Sequence, residues 1–166
     1  VEPEQPSSIH YYYSYKAEEV INAEKLGYVS GEFMPGCTYI YGDTLFIANT
    51  QSGHFSVELY SLSAHQKIGS LNTWTYNDAT QTFNNYVEAI SVANGRLYLA
   101  NIGSCIDVFD VHTLKFITRI GNRNWGHGNA QLFHTHAMAI VDDYIIVRMK
   151  DGLQVTLQSD VSAEKY

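Results

Sequence analysis

Three histidines stand close together in the C-terminal third of the sequence, at His127, His134 and His136. Side chains two residues apart on a strand point to the same side, so His134 and His136 are expected to face one way. With Glu88 they would supply nitrogen and oxygen ligands for a divalent metal. The alternative is that His134 and His136 form hydrogen bonds with backbone at a junction between structural units.

Three further side chains are candidates for contact with a ligand. Arg148 stands where two related segments carry alanine, and a lone arginine in a channel would hold an anionic ligand; the alternative is a solvated or paired arginine. Trp74 and Tyr76 belong to the aromatic segment 72–86, which is predicted to be a loop. Such rings suit recognition of a sugar or a peptide, unless they pack between structural units.

The composition limits the class of protein. The chain has 166 residues, 45% of them hydrophobic and 16% charged, which suits one domain with a packed core. A net charge of −7 argues against nucleic acid as a partner. No apolar run approaches the length of a membrane span. Residues 1–8 resemble a flexible leader, and the composition favours an exported, lipoprotein-like protein in the periplasm or at the cell surface.

Several smaller features carry structural expectations. Cys37 and Cys105 either form a disulfide or remain as two buried thiols. Asn49 and Asn101 stand at equivalent strand ends and are expected to cap turns. Asp107 is expected at the surface. The sequence contains no nucleophile elbow, phosphate-binding loop, dinucleotide fingerprint or HExxH motif.

An internal repeat is the clearest structural signal. The run Leu45–Asn49 is echoed by Leu97–Asn101, and a third copy is found at Ile145–Val147. Units of several strands at a period of about 50 residues indicate the blades of a β-propeller. Aligning the three units puts Gly36, Glu88 and His136 at equivalent positions, each just before an innermost strand.

Alternating apolar residues and tight turn residues predict the strands. They are expected at 9–15, 38–41, 44–48, 55–61, 89–92, 97–100, 106–110, 116–120, 137–141, 144–148 and 153–157. The segment 16–25 is predicted to be a turn of helix or a loop. Residues 24–29 resemble 66–71 and are therefore predicted to form an outermost strand.

The segment Leu97–Gly121 resembles the blades of NHL and YVTN-type β-propellers. It has a strand, an asparagine-containing turn, a strand that ends in Val-Phe-Asp, a Thr-Leu pair and a last strand. Leu45–Gly69 matches less fully and Tyr144–Asp160 matches in part. The resemblance implies an all-β fold of four-stranded antiparallel blades from a six- or seven-bladed ring, with the innermost strands lining a channel. In some NHL-like lyases, histidines at the channel bind a metal.

About three blades are therefore expected in this chain. The predicted divisions are a leader at 1–8, a partial blade at 9–33, blades at 34–85 and 86–133, and an incomplete blade at 134–166. Because propellers close with at least four blades and soluble proteins avoid open sheet edges, we expect a homo-oligomer that completes the ring or a longer chain.

Two functions from different classes fit these observations. The first is a binding module that presents the channel mouth to a protein, peptide or glycan, with Glu88, Arg148, Trp74 and Tyr76 as contacts. The second is a metal-dependent, NHL-like lyase or hydrolase with a channel lined by histidines. In both, the site is predicted at the mouth of the channel fed by the loop 127–136, where segments from separate blades converge.

Overall fold

The computed structural model describes residues 19–102, 105–121, 132, 135–142, 144–150 and 152–157. In this part of the chain there are thirteen strands and one short 3₁₀ helix, Glu24–Leu26. The strands are β1 Pro35–Tyr41, β2 Thr44–Asn49, β3 Ser56–Ser61, β4 Gln66–Leu71, β5 Thr73–Tyr76, β6 Ala79–Thr82, β7 Val87–Ala93, β8 Arg96–Asn101, β9 Cys105–Asp110, β10 Phe116–Ile120, β11 Ala137–Val141, β12 Tyr144–Met149 and β13 Gly152–Leu157.

The strands form successive antiparallel sheets, which confirms the predicted propeller blades. Blade 1 has the order β1-β2-β3-β4, blade 2 the order β7-β8-β9-β10, and blade 3 the three strands β11-β12-β13. The pair β5–β6 forms a separate hairpin between blades 1 and 2. Strand β7 packs against β1 on one side and against β11 on the other, so the first strands of the blades are neighbours.

The strand register reproduces the alignment of the three repeats. The equivalent cross-strand pairs are Thr38↔Ile47, Ile90↔Leu99 and Met138↔Val147. The turn after each first strand has two residues, and in blade 2 these are Asn94 and Gly95 with φ of 51° and 72°. Positive φ at both positions gives the tight reversal that matches strand twist, and Asn and Gly accept it most readily. Gly36, Glu88 and His136 thus occupy equivalent positions.

The blades pack face to face through apolar side chains. We call the side of a blade that points to the next blade in chain order its front, and the opposite side its back. The front of blade 1, with Phe46 and Val57, packs on Leu97 and Leu99 at the back of blade 2. In the same way, the front of blade 2 packs on the back of blade 3, where Ile145 is 1% exposed. These junctions contain most of the hydrophobic core.

Two predicted segments differ from the structure. Residues 24–29 do not form an outermost strand: Glu24–Leu26 is a 3₁₀ helix that ends at Gly27, whose φ is 79°. Leu26 is fully buried against Ile47 and Tyr60, so this segment covers the back of blade 1 instead of extending a sheet. The predicted loop 72–86 contains the β5–β6 hairpin.

Other predictions fall outside the described residues, among them the leader 1–8 and the strand 9–15. Within the described ranges, no helix is long and apolar enough to cross a membrane.

Candidate functional site

A cavity lies where the first strands of blades 1 and 2 begin. We call this end of the sheets the mouth face. Cys37 on β1 donates a hydrogen bond from Sγ to the carbonyl oxygen of Val87 on β7, at 3.5 Å, and so joins the two strands. The mouth cavity beside this contact has a volume of about 490 Å³. Its lining residues are Met34, Gly36, Cys37, Thr50, Tyr86, Val87 and Glu88.

Glu88 gives the mouth cavity its negative charge. The Nδ1 atom of His136 lies 3.8 Å from Oε1 of Glu88, and both side chains are about a third exposed. These two residues come from equivalent positions of neighbouring repeats, which is why the fold brings them together. The glutamate is therefore presented to solvent beside a group that carries positive charge when protonated.

The thiol of Cys37 faces this negative charge. Burial raises the pKa of Cys37 to about 11, and the nearby carboxylate of Glu88 adds to the effect. With this raised pKa the thiol stays protonated at neutral pH. It is weakly nucleophilic there, because the thiolate is the reactive form. Cys37 and Cys105 are both free, which is the second of the two predicted alternatives, but Cys105 alone is fully buried and Cys37 is half-buried.

Gly36 of blade 1, at the position equivalent to Glu88 and His136, leaves space in the mouth cavity because it has no side chain. A Cβ atom on Gly36 would stand 2.4 Å from Cγ2 of Thr50, so any larger residue would displace the threonine. Blade 1 thus contributes backbone at the position where blade 2 contributes a carboxylate.

A second cavity, the outer groove, adjoins the first on the mouth face. It has a volume of about 510 Å³ and lies between blade 1 and the β5–β6 hairpin. It is lined by Tyr28, Gly53, His54, Phe55, Ser56, Asn72, Thr73, Thr82 and Phe83. Phe55 lines the outer groove and Tyr86 lines the mouth cavity. The centroids of their rings lie 6.3 Å apart, so this aromatic pair lies between the two cavities. The groove is mainly aromatic and polar.

Trp74 and Tyr76 lie in the junction between blades 1 and 2. Trp74 is 7% exposed, and its ring centroid is 4.9 Å from that of Phe83 and 5.4 Å from that of Phe109. Tyr76 is half-buried, with its ring 5.0 Å from that of Phe116. Neither residue lines the mouth cavity or the outer groove. Packing between blades, the alternative stated from the sequence, accounts for both rings.

Arg148 is exposed on the front of blade 3 and does not line the mouth cavity, although its backbone carbonyl oxygen accepts a hydrogen bond from the N–H of His136 at 2.9 Å. Its equivalents Ala48 and Ala100 are fully buried in the two internal junctions. His127 and His134 lie outside the described residues. Among the residues that are described, no group of three or more His, Cys, Asp or Glu side chains is placed to hold a metal ion. Of the candidates, the structure brings together Glu88 and His136.

The expectation that Asp107 lies at the surface is wrong. Asp107 is fully buried, and it accepts hydrogen bonds from Nε of Arg119 at 2.6 Å and from Nδ2 of Asn101 at 3.0 Å. The equivalent residue of blade 1, Glu58, is also fully buried and is paired with Lys67. An acid on the third strand, paired with a base on the fourth, is therefore part of the blade core.

The predicted turn-capping role is confirmed for Asn49, whose Oδ1 accepts from the backbone N–H of Gln51 at 3.1 Å. Asn101 instead donates from Nδ2 to the buried Asp107. Asn49 also bonds to an earlier segment: its Nδ2 donates to the carbonyl oxygen of Glu32 at 2.9 Å, and its Oδ1 accepts from the backbone N–H of Met34 at 3.0 Å. Asn49 thereby fixes the segment that leads into β1, and with it one wall of the mouth cavity.

Comparison with known proteins identifies the fold alone. No protein family and no curated relative matches the sequence. The designed protein Ika8 superposes with a TM-score of 0.50 and 12% identity, over 74% of this chain and 33% of that one. Glutaminyl cyclase from Myxococcus xanthus, which has a propeller-like fold, superposes with a TM-score of 0.52 and 10% identity, over 81% of this chain and 50% of the cyclase. The chain thus spans a third to a half of these proteins.

Proposed function

We propose that the chain is a β-propeller binding module that takes a protein or peptide ligand on its mouth face. The observation that carries the proposal is the mouth cavity, which holds Glu88 between the first strands of two blades. Concave sites with a few polar groups on apolar walls are the usual form of a ligand site. The adjoining outer groove extends the surface available to an elongated ligand.

The lining of the mouth cavity favours a cationic group on an apolar stem. Glu88 supplies a carboxylate, while Met34 and Val87 supply apolar contact. A lysine or arginine side chain combines these properties, because its methylene groups pack on apolar surface while its head remains polar. The net charge of −7 also attracts cationic partners. A glycan, the other ligand class predicted from the sequence, would use its hydroxyl groups as donors to the same carboxylate.

Replacing Glu88 by glutamine is expected to weaken binding of a lysine-containing peptide about tenfold, equivalent to about 1.4 kcal/mol. The variant keeps the size of the side chain and removes its charge. The measurement is calorimetric titration of a peptide library and of its lysine-acetylated counterpart. Asp78→Asn, which removes one charge from the exposed turn of the β5–β6 hairpin, is the control. Equal binding by Glu88→Gln, or equal binding of acetylated peptides, would contradict the proposal.

A metal-dependent enzyme is the second candidate, favoured by the distance of 3.8 Å between Glu88 and His136. Under this proposal His127 and His134 complete the ligand set. The His134→Ala/His136→Ala double variant is then expected to lose the bound metal that mass spectrometry detects in the purified protein. A folded double variant with unchanged metal content would show that neither histidine is needed to bind the metal, and would favour the alternative that both form hydrogen bonds at the blade junction.

A further inference from the structure

The mouth cavity and the outer groove share one wall, the loop 50–55 between β2 and β3. Thr50 at the start of this loop lines the mouth cavity, and His54 near its end lines the outer groove. The N–H of Thr50 donates to the carbonyl oxygen of Met34 at 2.8 Å, and the N–H of His54 donates to that of Gln51 at 3.0 Å. Backbone hydrogen bonds therefore hold the shared wall in place.

The segment 28–34 connects the same two cavities. It supplies Tyr28 to the outer groove and Met34 to the mouth cavity. The hydroxyl of Tyr28 donates to Oε1 of Glu58 at 2.7 Å, and the N–H of Met34 donates to Oδ1 of Asn49 at 3.0 Å. Both ends of the segment are thus fixed to blade 1. Cavities that are held in position before binding favour a ligand of matching shape, because less order is lost when it binds.

The two cavities differ in charge. Glu88 lines the mouth cavity, whereas none of the described residues that line the outer groove is an aspartate, glutamate, lysine or arginine. The groove instead offers the half-buried ring of Phe55 beside the hydroxyl groups of Thr73 and Thr82. A tyrosine side chain has the complementary composition, because its apolar ring packs on aromatic groups while its hydroxyl finds a hydrogen-bond partner.

The distance between the cavities fits an extended peptide. The rings of Phe55 and Tyr86, one in each cavity, have centroids 6.3 Å apart. In an extended chain, side chains two residues apart point to the same side and lie about 6.6 Å apart, at about 3.3 Å per residue. Side chains one or three residues apart point to opposite sides. The geometry therefore selects two ligand side chains that are separated by one residue.

We infer that the outer groove is a second subsite for the same peptide, and that it takes a tyrosine two positions from the basic residue bound by Glu88. The inference rests on the proposed function, since it requires a basic side chain in the mouth cavity. It adds a sequence requirement that Glu88 alone does not impose: one basic and one aromatic residue at a fixed spacing.

The first experiment varies the ligand. Calorimetric titration compares short, capped serine–threonine peptides that each contain one lysine. A peptide with tyrosine two positions from the lysine is expected to bind about tenfold tighter than one with alanine at that position, because the ring gains aromatic contacts. Both chain directions are measured, and the tighter one is used for the comparison. Tyrosine one or three positions from the lysine is expected to give the affinity of the alanine peptide.

The second experiment varies the protein. Thr73→Gln places a longer, uncharged side chain in the outer groove, and this variant is expected to bind the tyrosine and alanine peptides equally. Its affinity for the alanine peptide is expected to stay at the wild-type value. Thr75→Gln is the matched control, since Thr75 is exposed on the same side of β5 and lines neither cavity. This control is expected to keep the preference for tyrosine.

The outcomes separate this inference from the proposed function. If the wild-type protein bound both peptides equally and Glu88→Gln still weakened both, the outer groove would not be a subsite, and the proposed function would stand. If Glu88→Gln changed neither affinity, both proposals would be wrong. A preference for tyrosine that persisted in Thr73→Gln would place the aromatic side chain outside the outer groove and would also overturn the inference.

Discussion

Arg119→Ala is expected to lower the free energy of unfolding by about 3–5 kcal/mol, the usual cost of removing one partner of a buried ion pair. Arg119 is 11% exposed and its partner Asp107 is fully buried. Burial opposes the charge of Arg119 and is the largest single effect on its pKa, but the hydrogen bond and the charge attraction of Asp107, with smaller contributions from other neighbours, together outweigh it and raise the pKa of the guanidinium. Without the arginine, the Asp107 carboxylate keeps the hydrogen bond from Asn101 and loses its counter-charge.

The measurement is equilibrium unfolding in urea. Lys25→Ala is the control, because Lys25 also pairs with a carboxylate, that of Glu19, but is 43% exposed. Exposed pairs contribute at most about 1 kcal/mol. The double variant Asp107→Leu/Arg119→Met is expected to lose less than the single variant, since it leaves no unpaired buried charge. A loss under 1 kcal/mol for Arg119→Ala would show that the pair contributes little to the blade core.

Trp74→Ala is expected to destabilise the protein by about 3–5 kcal/mol, as other tryptophan or phenylalanine truncations in cores do. The ring is in contact with Phe83 from the linker and Phe109 from blade 2, so its loss opens a cavity in the junction between blades 1 and 2. The less disruptive Trp74→Phe is expected to cost less and to leave ligand affinity unchanged.

Urea unfolding and calorimetric titration together test the two interpretations of Trp74. Tyr41→Ala, at an aromatic residue that is 41% exposed, is the control and is expected to change stability by about 0.5 kcal/mol or less. If Trp74→Phe kept its stability and lost ligand binding, the residue would be a ligand contact as first predicted from the sequence.

The blade repeat could be predicted because strand pairing depends on local alternation and on short turns. Residues such as Ile47, Leu99 and Val147 recur at matching positions, and the structure gives them the same register. For residues 24–29, local sequence similarity did not predict the structure correctly. They resemble 66–71, yet β4 forms because β3 lies beside it, whereas Leu26 is buried on the back of blade 1.

The candidate site could be predicted in part. Alignment of the repeats placed Glu88 and His136 at equivalent positions, and the fold makes them neighbours. Whether an aromatic or acidic side chain is buried depends on which distant segments pack against its side of the sheet. Trp74 and Asp107 are buried because distant strands cover them, and neither composition nor spacing contains that information. The outer groove likewise depends on the β5–β6 hairpin lying beside blade 1.

The two ends of the sheets differ in how they tolerate changes in chain length. On the far side from the mouth face, the first turn of every blade has two residues, at 42–43, 94–95 and 142–143. On the mouth face, the loops between the second and third strands are unequal, at 50–55, 102–104 and 150–151. The longest of them supplies Thr50 to the mouth cavity and His54 and Phe55 to the outer groove. Insertions on this side would therefore reshape the mouth cavity and the outer groove while the blade scaffold stayed constant, because loops tolerate changes in length better than the strands that they connect.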